Sequence, residues 1–179
     1  MNPADASLPE PPEGYAARLP RQVEATKLVP VGLDVFGREQ RLAPEAAEAW
    51  TSLCAAAARD GVRLLLVSGF RSVARQREIV QRKLAAGVPW TEILRVNAYP
   101  GHSEHHTGRA IDIGSPHSVH LNEQFETTPE FHWLVEQAGR FGFTLSYPRG
   151  GESGVGYEPW HWLWRPLGDM RRGGPAGGE

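Results

Sequence analysis

Gly101-His102-Ser103-Glu104-His105-His106-Thr107-Gly108-Arg109-Ala110-Ile111-Asp112-Ile113-Gly114 carries a crowded polar loop straight into an alternating segment. From Arg109 to Gly114, Ala110 and Asp112 fall on one face and Ile111 and Ile113 on the other, the period-two pattern of a β-strand. All seven histidines lie between positions 102 and 161, and three of them crowd this loop. His105 and Asp112 are seven residues apart, an odd spacing that sends them to opposite faces of a continuous strand. Thr107-Gly108 lets the chain turn before the strand begins, so Asp112 can face back toward His105.

Working outward from that strand, Pro44 suits a first helical position. Ala47, Trp50, Cys54 and Ala57 then share one helical face before Asp60-Gly61 stops the helix. Val62 to Ser68 is a short apolar run between turn residues and reads as a buried strand. Ser72 can cap a second helix with Val73, Gln76, Ile79, Val80 and Leu84 inward and Gly87 as its terminator. On the far side, Thr128-Pro129 starts a third helix with Phe131, Leu134, Val135 and Ala138 as its apolar stripe. Phe143, Leu145 and Tyr147 alternate before the glycine-rich stretch 150–156, and Trp160 to Trp164 forms a further aromatic strand. Segregated helices and strands of this kind predict an α+β domain, helices layered on a small antiparallel β-sheet.

The chain has 179 residues, which suits one domain. Residues 22–170 are predicted to fold, with 1–21 and 171–179 as flexible tails of Pro-, Ala- and Gly-rich composition. The net charge of -2 and the pI of about 6.4 give no basic surface for a nucleic-acid partner. No apolar run approaches the roughly 20 residues of a membrane span. Cys54 is the only cysteine, so no intramolecular disulfide can form. Residues 1–17 hold Asp5, Glu10, Glu13 and four prolines and do not read as a signal peptide. The chain as written is therefore expected in the cytoplasm, and in the periplasm or cell envelope if it has been trimmed.

A catalytic zinc needs about three protein ligands and an open position. HExxH is absent, so the ligands must come from separate segments. His105 and Asp112 are two candidates. His161 is a third, in Glu158-Pro159-Trp160-His161, where Pro159 suits a strand edge or bend. Taken singly, Asp112 reads as a residue satisfying turn amides, Arg71 as a cap or ion-pair partner and Glu158 as a solvated edge residue. Trp160, Trp162 and Trp164 share one strand face and read as core, His102 and His106 as the remaining histidines nearest a cleft, and Cys54 as inert.

Three segments together resemble a known family. Ser103 to Asp112 matches the SxHxxGxAxD motif, and Glu158 to His161 the ExxH motif, of the VanY-type D-alanyl-D-alanine carboxypeptidases. Ser68-Gly69-Phe70-Arg71-Ser72 with Gln76 resembles their SGYRS...Q segment. The resemblance runs from about Leu42 to Arg165. These enzymes are zinc peptidases of the group that also includes lysostaphin-type enzymes and the hedgehog amino-terminal domain, and the resemblance implies that fold. It implies one Zn2+ per chain held by His105, Asp112 and His161, with Glu158 as general base and Arg71 steadying the oxyanion or orienting the peptide. Ser103 and Gln76 are implied as hydrogen-bonding partners of the substrate's terminal residue. The implied substrate is a peptidoglycan peptide ending in D-Ala; a D,D-dipeptidase, an L,D-carboxypeptidase, an endopeptidase and a non-catalytic zinc-stabilised module are the alternatives. After the third ligand the chain reads Leu163-Trp164-Arg165 where the family commonly has Arg and Tyr, a departure that bears on specificity.

Overall fold

A computed structural model describes residues 7–170. Its centre is a four-stranded antiparallel sheet of order β3-β4-β6-β5, formed by β3 (Leu65–Ser68), β4 (Ala110–Gly114), β5 (Phe143–Leu145) and β6 (His161–Trp164). Ile111, Ile113 and Trp162 point from one face of this sheet into the main core. There they meet Ala46, Ala47, Trp50 and Leu53 of α2 (Pro44–Arg59) and Leu134 of α5 (Pro129–Gln137). The opposite face carries Asp112 and His161, which the register sets directly across from one another. A one-residue slip would send both into the core, so the isoleucine and tryptophan burial that fixes the register also fixes this polar pair.

The helix starts follow the predicted chemistry. Ser72 Oγ accepts from Arg75 N–H at 3.0 Å to cap α3 (Val73–Ala85), and Thr128 Oγ1 accepts from Phe131 N–H at 3.2 Å to cap α5. Some details differ. Val135 is exposed, because the buried stripe of α5 runs through Leu134 and Ala138. The strand expected from Val62 is paired only over Leu65–Ser68. Trp162 is buried in the core as expected, whereas Trp160 packs against the core and also forms part of a cleft wall.

The predicted boundary at residue 21 is corrected. Leu8 is buried with Val80 and Ile93, and Tyr15 and Leu19 are buried with Leu94 and Tyr147. Tyr15 lies in the short α1 (Tyr15–Arg18), and its hydroxyl accepts from Tyr99 N–H at 2.8 Å. Residues 8–19 thus pack onto the domain rather than trailing from it. The tails expected at 1–6 and 171–179 lie outside the described residues. Also absent from the sequence expectations are the hairpin of β1 (Val29–Leu33) and β2 (Glu39–Leu42), and α4 (Trp90–Val96). Pro30 and Gly32 obscure β1, and α4 is too short for a helical period to stand out.

Candidate active site

The histidine-rich loop forms a short 3-10 turn, Glu104–Thr107, that ends at Gly108 with φ +65°. A side chain at 108 would be strained there, and its Cβ would stand 2.9 Å from Ala43 N. That tight junction turns the chain so that His105 comes back over β4, as the spacing argument requires. His105 Nδ1 lies 2.7 Å from the Gly69 carbonyl oxygen. A carbonyl can only accept, so Nδ1 carries the hydrogen and Nε2 is the nitrogen that faces Asp112 Oδ2, 3.2 Å away.

His161 has a carboxylate on each ring nitrogen: Asp112 Oδ1 lies 3.0 Å from Nδ1, and Glu104 Oε2 lies 2.9 Å from Nε2. Burial opposes a charged ring, but hydrogen bonds to Asp112 and Glu104 outweigh it and raise the His161 pKa. Burial also opposes ionisation of Asp112, and the two histidines overcome it to hold that carboxyl far below the ordinary range. One candidate ligand atom from each of His105, Asp112 and His161 lies within 4.8 Å of the others, and all three residues are buried. A divalent cation at their centre would take the place of the proton on His161 Nδ1 while Nε2–H stays on Glu104.

Beside this group, Glu158 Oε2 stands 3.9 Å from His161 Nδ1. Burial, opposed by His161 and reinforced by Asp112, pushes the Glu158 carboxyl up to about 7. Arg71 Nη2 is 3.9 Å from Asp112 Oδ2 and donates to Ser68 Oγ at 3.2 Å. Arg71 Nη1 donates to Gln76 Oε1 at 3.0 Å. All of the candidate residues except Gln76 open onto one cleft of about 300 Å³, which is also lined by Leu121, Tyr147, Val155 and Trp160.

Gln76 is fully buried, and its amide is engaged at both ends, accepting from Arg71 and donating through Nε2 to Ala98 O at 2.7 Å. Its expected contact with substrate is therefore corrected: it holds the guanidinium in place from behind. His102 and His106 do not line the cleft either. His102 Nδ1–H donates to Leu19 O at 2.6 Å, while His106 donates to Arg71 O at 2.6 Å and accepts from Gly101 N–H at 3.1 Å. Both rings hydrogen-bond to backbone groups. Leu163, Trp164 and Arg165 also lie away from this cleft, so the departure after the third ligand does not alter its wall. Glu104 is the residue that the sequence reading passed over; its only signal was an acid next to a candidate ligand. Burial pushes the Cys54 thiol up to about 12, which keeps it protonated.

Two imidazoles and a carboxylate, with a second carboxylate and a guanidinium beside them in a cleft, form the type of site used by metal-dependent hydrolases. Comparison with known proteins fixes the family. Residues 39–167 match the VanY family model, described as D-alanyl-D-alanine carboxypeptidase, and the chain belongs to that family. YodJ of Bacillus subtilis is 38% identical over 120 residues, 65% of this chain and 44% of that protein. A D-alanyl-D-alanine carboxypeptidase of Enterococcus faecalis is 34% identical over 117 residues, 60% of this chain and 42% of that one. The chain thus spans less than half the length of these relatives. Among solved structures, the LdcB LD-carboxypeptidase superposes with a TM-score of 0.75 at 32% identity, covering 84% of this chain and 73% of that one. VanYB in complex with D-alanine-D-alanine gives 0.65 at 28% identity, covering 83% and 82%. A VanY D,D-pentapeptidase in complex with Zn(II) gives 0.63 at 27% identity, covering 86% and 84%.

Proposed function

We propose that this protein is a zinc-dependent carboxypeptidase that removes the terminal D-alanine from peptidoglycan stem peptides. The observation that carries the reading is the buried His105–Asp112–His161 group opening onto the same cleft as Glu158, in a chain of the VanY family. The relatives solved with Zn(II) and with D-alanine-D-alanine support the metal and the substrate class. His105 through Nε2, Asp112 and His161 through Nδ1 would hold the ion. Zinc there supplies Lewis acidity, polarising a carbonyl and making water nucleophilic near neutral pH. Glu158 takes the proton of the attacking water and returns it to the leaving amine, a task that suits a carboxyl with a pKa of about 7. Arg71, pinned by Ser68 and Gln76, donates to the scissile carbonyl oxygen as its charge grows. Ser103, on the cleft wall, hydrogen-bonds the terminal residue. Among the described residues no helix is long and apolar enough to cross a membrane, and the partner is a peptide.

Glu104 acts through His161 by accepting Nε2–H and so keeping Nδ1 free for the metal. Glu104→Ala is expected to weaken zinc binding about 10- to 100-fold, with Glu104→Gln recovering part of the loss. Competition with a chromophoric chelator measures this directly, and unchanged zinc affinity in Glu104→Ala would remove this role.

A second reading, L,D-carboxypeptidase activity, is favoured by the superposition on LdcB. Mass spectrometry of a pentapeptide stem, a tetrapeptide stem, free D-Ala-D-Ala and a crosslinked dimer, with zinc and with chelator, separates the two. Zinc-dependent loss of one alanine from the pentapeptide is expected. Cleavage confined to the tetrapeptide would move the activity to the second reading, and cleavage of no panel member would contradict both.

A further inference from the structure

The cleft is lined also from α3 and the end of α4, and there it carries a second cation. Lys83, near the end of α3, lines the cleft together with Asn97, Ala98 and Ser103. It is half-buried and has no carboxylate within ion-pair distance among the described residues. The acids of the cleft are already committed: Asp112 and Glu104 face His161, and Glu158 stands beside it. Arg71 also faces this space, and its Ser68 and Gln76 contacts turn it toward Asp112. A half-buried ammonium without a counter-ion is better satisfied when an anion arrives with the ligand.

We infer that Lys83 binds the terminal carboxylate of the substrate and thereby makes the site select free chain ends over internal peptide bonds. The inference rests on the cleft being the peptide site proposed above. Burial, with the nearby charge of Arg71, holds the Lys83 pKa below its ordinary value, a penalty that a bound carboxylate relieves. The arrangement separates two duties. Arg71 and the candidate metal ligands serve the bond that is cut, whereas Lys83, from α3, senses whether the chain ends there. A peptide extended beyond that residue, or one ending in an amide, brings no charge to Lys83 and leaves it desolvated.

The test is binding as well as turnover. N-acetyl-D-Ala-D-Ala and its C-terminal amide are titrated by NMR against the zinc-loaded protein, the Lys83→Met variant and the Lys83→Arg variant, and hydrolysis of both peptides is followed in parallel. The free acid is expected to bind the unaltered protein about tenfold to a hundredfold more tightly than the amide. Lys83→Met is expected to abolish that preference with no loss of amide affinity or zinc content, and Lys83→Arg to keep most of it. Equal affinity for acid and amide in the unaltered protein, binding of neither, or a preference that survives in Lys83→Met would each overturn the inference. Preferential binding of the acid without cleavage would instead count against the proposed catalytic reading while leaving the Lys83 assignment standing.

Discussion

Glu158→Gln is expected to lower kcat by about two to four orders of magnitude, the usual worth of a positioned general acid–base group, while zinc content stays at one ion per chain. Glutamine keeps the shape of the side chain and its place on the wall, but it cannot accept the proton of water. Glu158 stands 3.9 Å from His161 Nδ1 and outside the three-residue group, so its loss should not empty the metal site. Burial has raised its carboxyl to about 7, which makes the carboxylate a stronger base than a solvent-exposed glutamate. The check is a paired measurement of single-turnover rate and zinc stoichiometry. A variant that retains full turnover would eliminate Glu158 as the base, and one that loses both zinc and activity would make it a ligand instead.

The second large effect belongs to the metal ligands themselves. Chelation is expected to abolish hydrolysis and added zinc to restore it, whereas His105→Ala and His161→Ala should fail to recover. The two variants should differ in stability when metal-free. His161 lies between Asp112 and Glu104, and removing it leaves a buried and a partly buried carboxylate without their shared cation. Breaking such a buried arrangement costs about 3–5 kcal/mol. His105 gives its Nδ1–H to a neutral carbonyl and faces a carboxylate only through Nε2, so its loss should cost less. Urea midpoints of the metal-free proteins compare the two; equal losses would mean that the Glu104–His161–Asp112 row is not held together as described.

Much of this site could be read before any fold was known, and the reason is local. The alternation of Ala110 to Asp112 and of His161 to Trp162 fixes which side chain leaves the core on each strand, and the Thr107-Gly108 turn returns His105 to the same place. What escaped the sequence is held by contacts between distant segments. Leu8, Tyr15 and Leu19 are isolated apolar residues among prolines, and nothing in their spacing tells that Val80, Ile93 and Tyr147 wait to cover them. Gln76 lies on the inner face of α3 as its helical phase predicts, yet only the fold shows both ends of its amide occupied by Arg71 and Ala98. Glu104 meets His161 across 57 positions, so its role depends on the way the 3-10 turn docks over β6. Lys83 has no signature at all; a lysine near a helix end is ordinarily solvated, and here the end of α4 closes the cleft beside it.

Zinc K-edge X-ray absorption on protein loaded with one equivalent of zinc tests the central claim most directly. Two imidazole nitrogens at about 2.0–2.1 Å with the remaining ligands oxygen are predicted, unchanged in Glu158→Gln and reduced by one imidazole in His161→Ala. A spectrum that keeps both imidazoles in His161→Ala, or that loses an oxygen ligand in Glu158→Gln, would contradict the assignment of His105, Asp112 and His161 as the metal site with Glu158 as the base beside it.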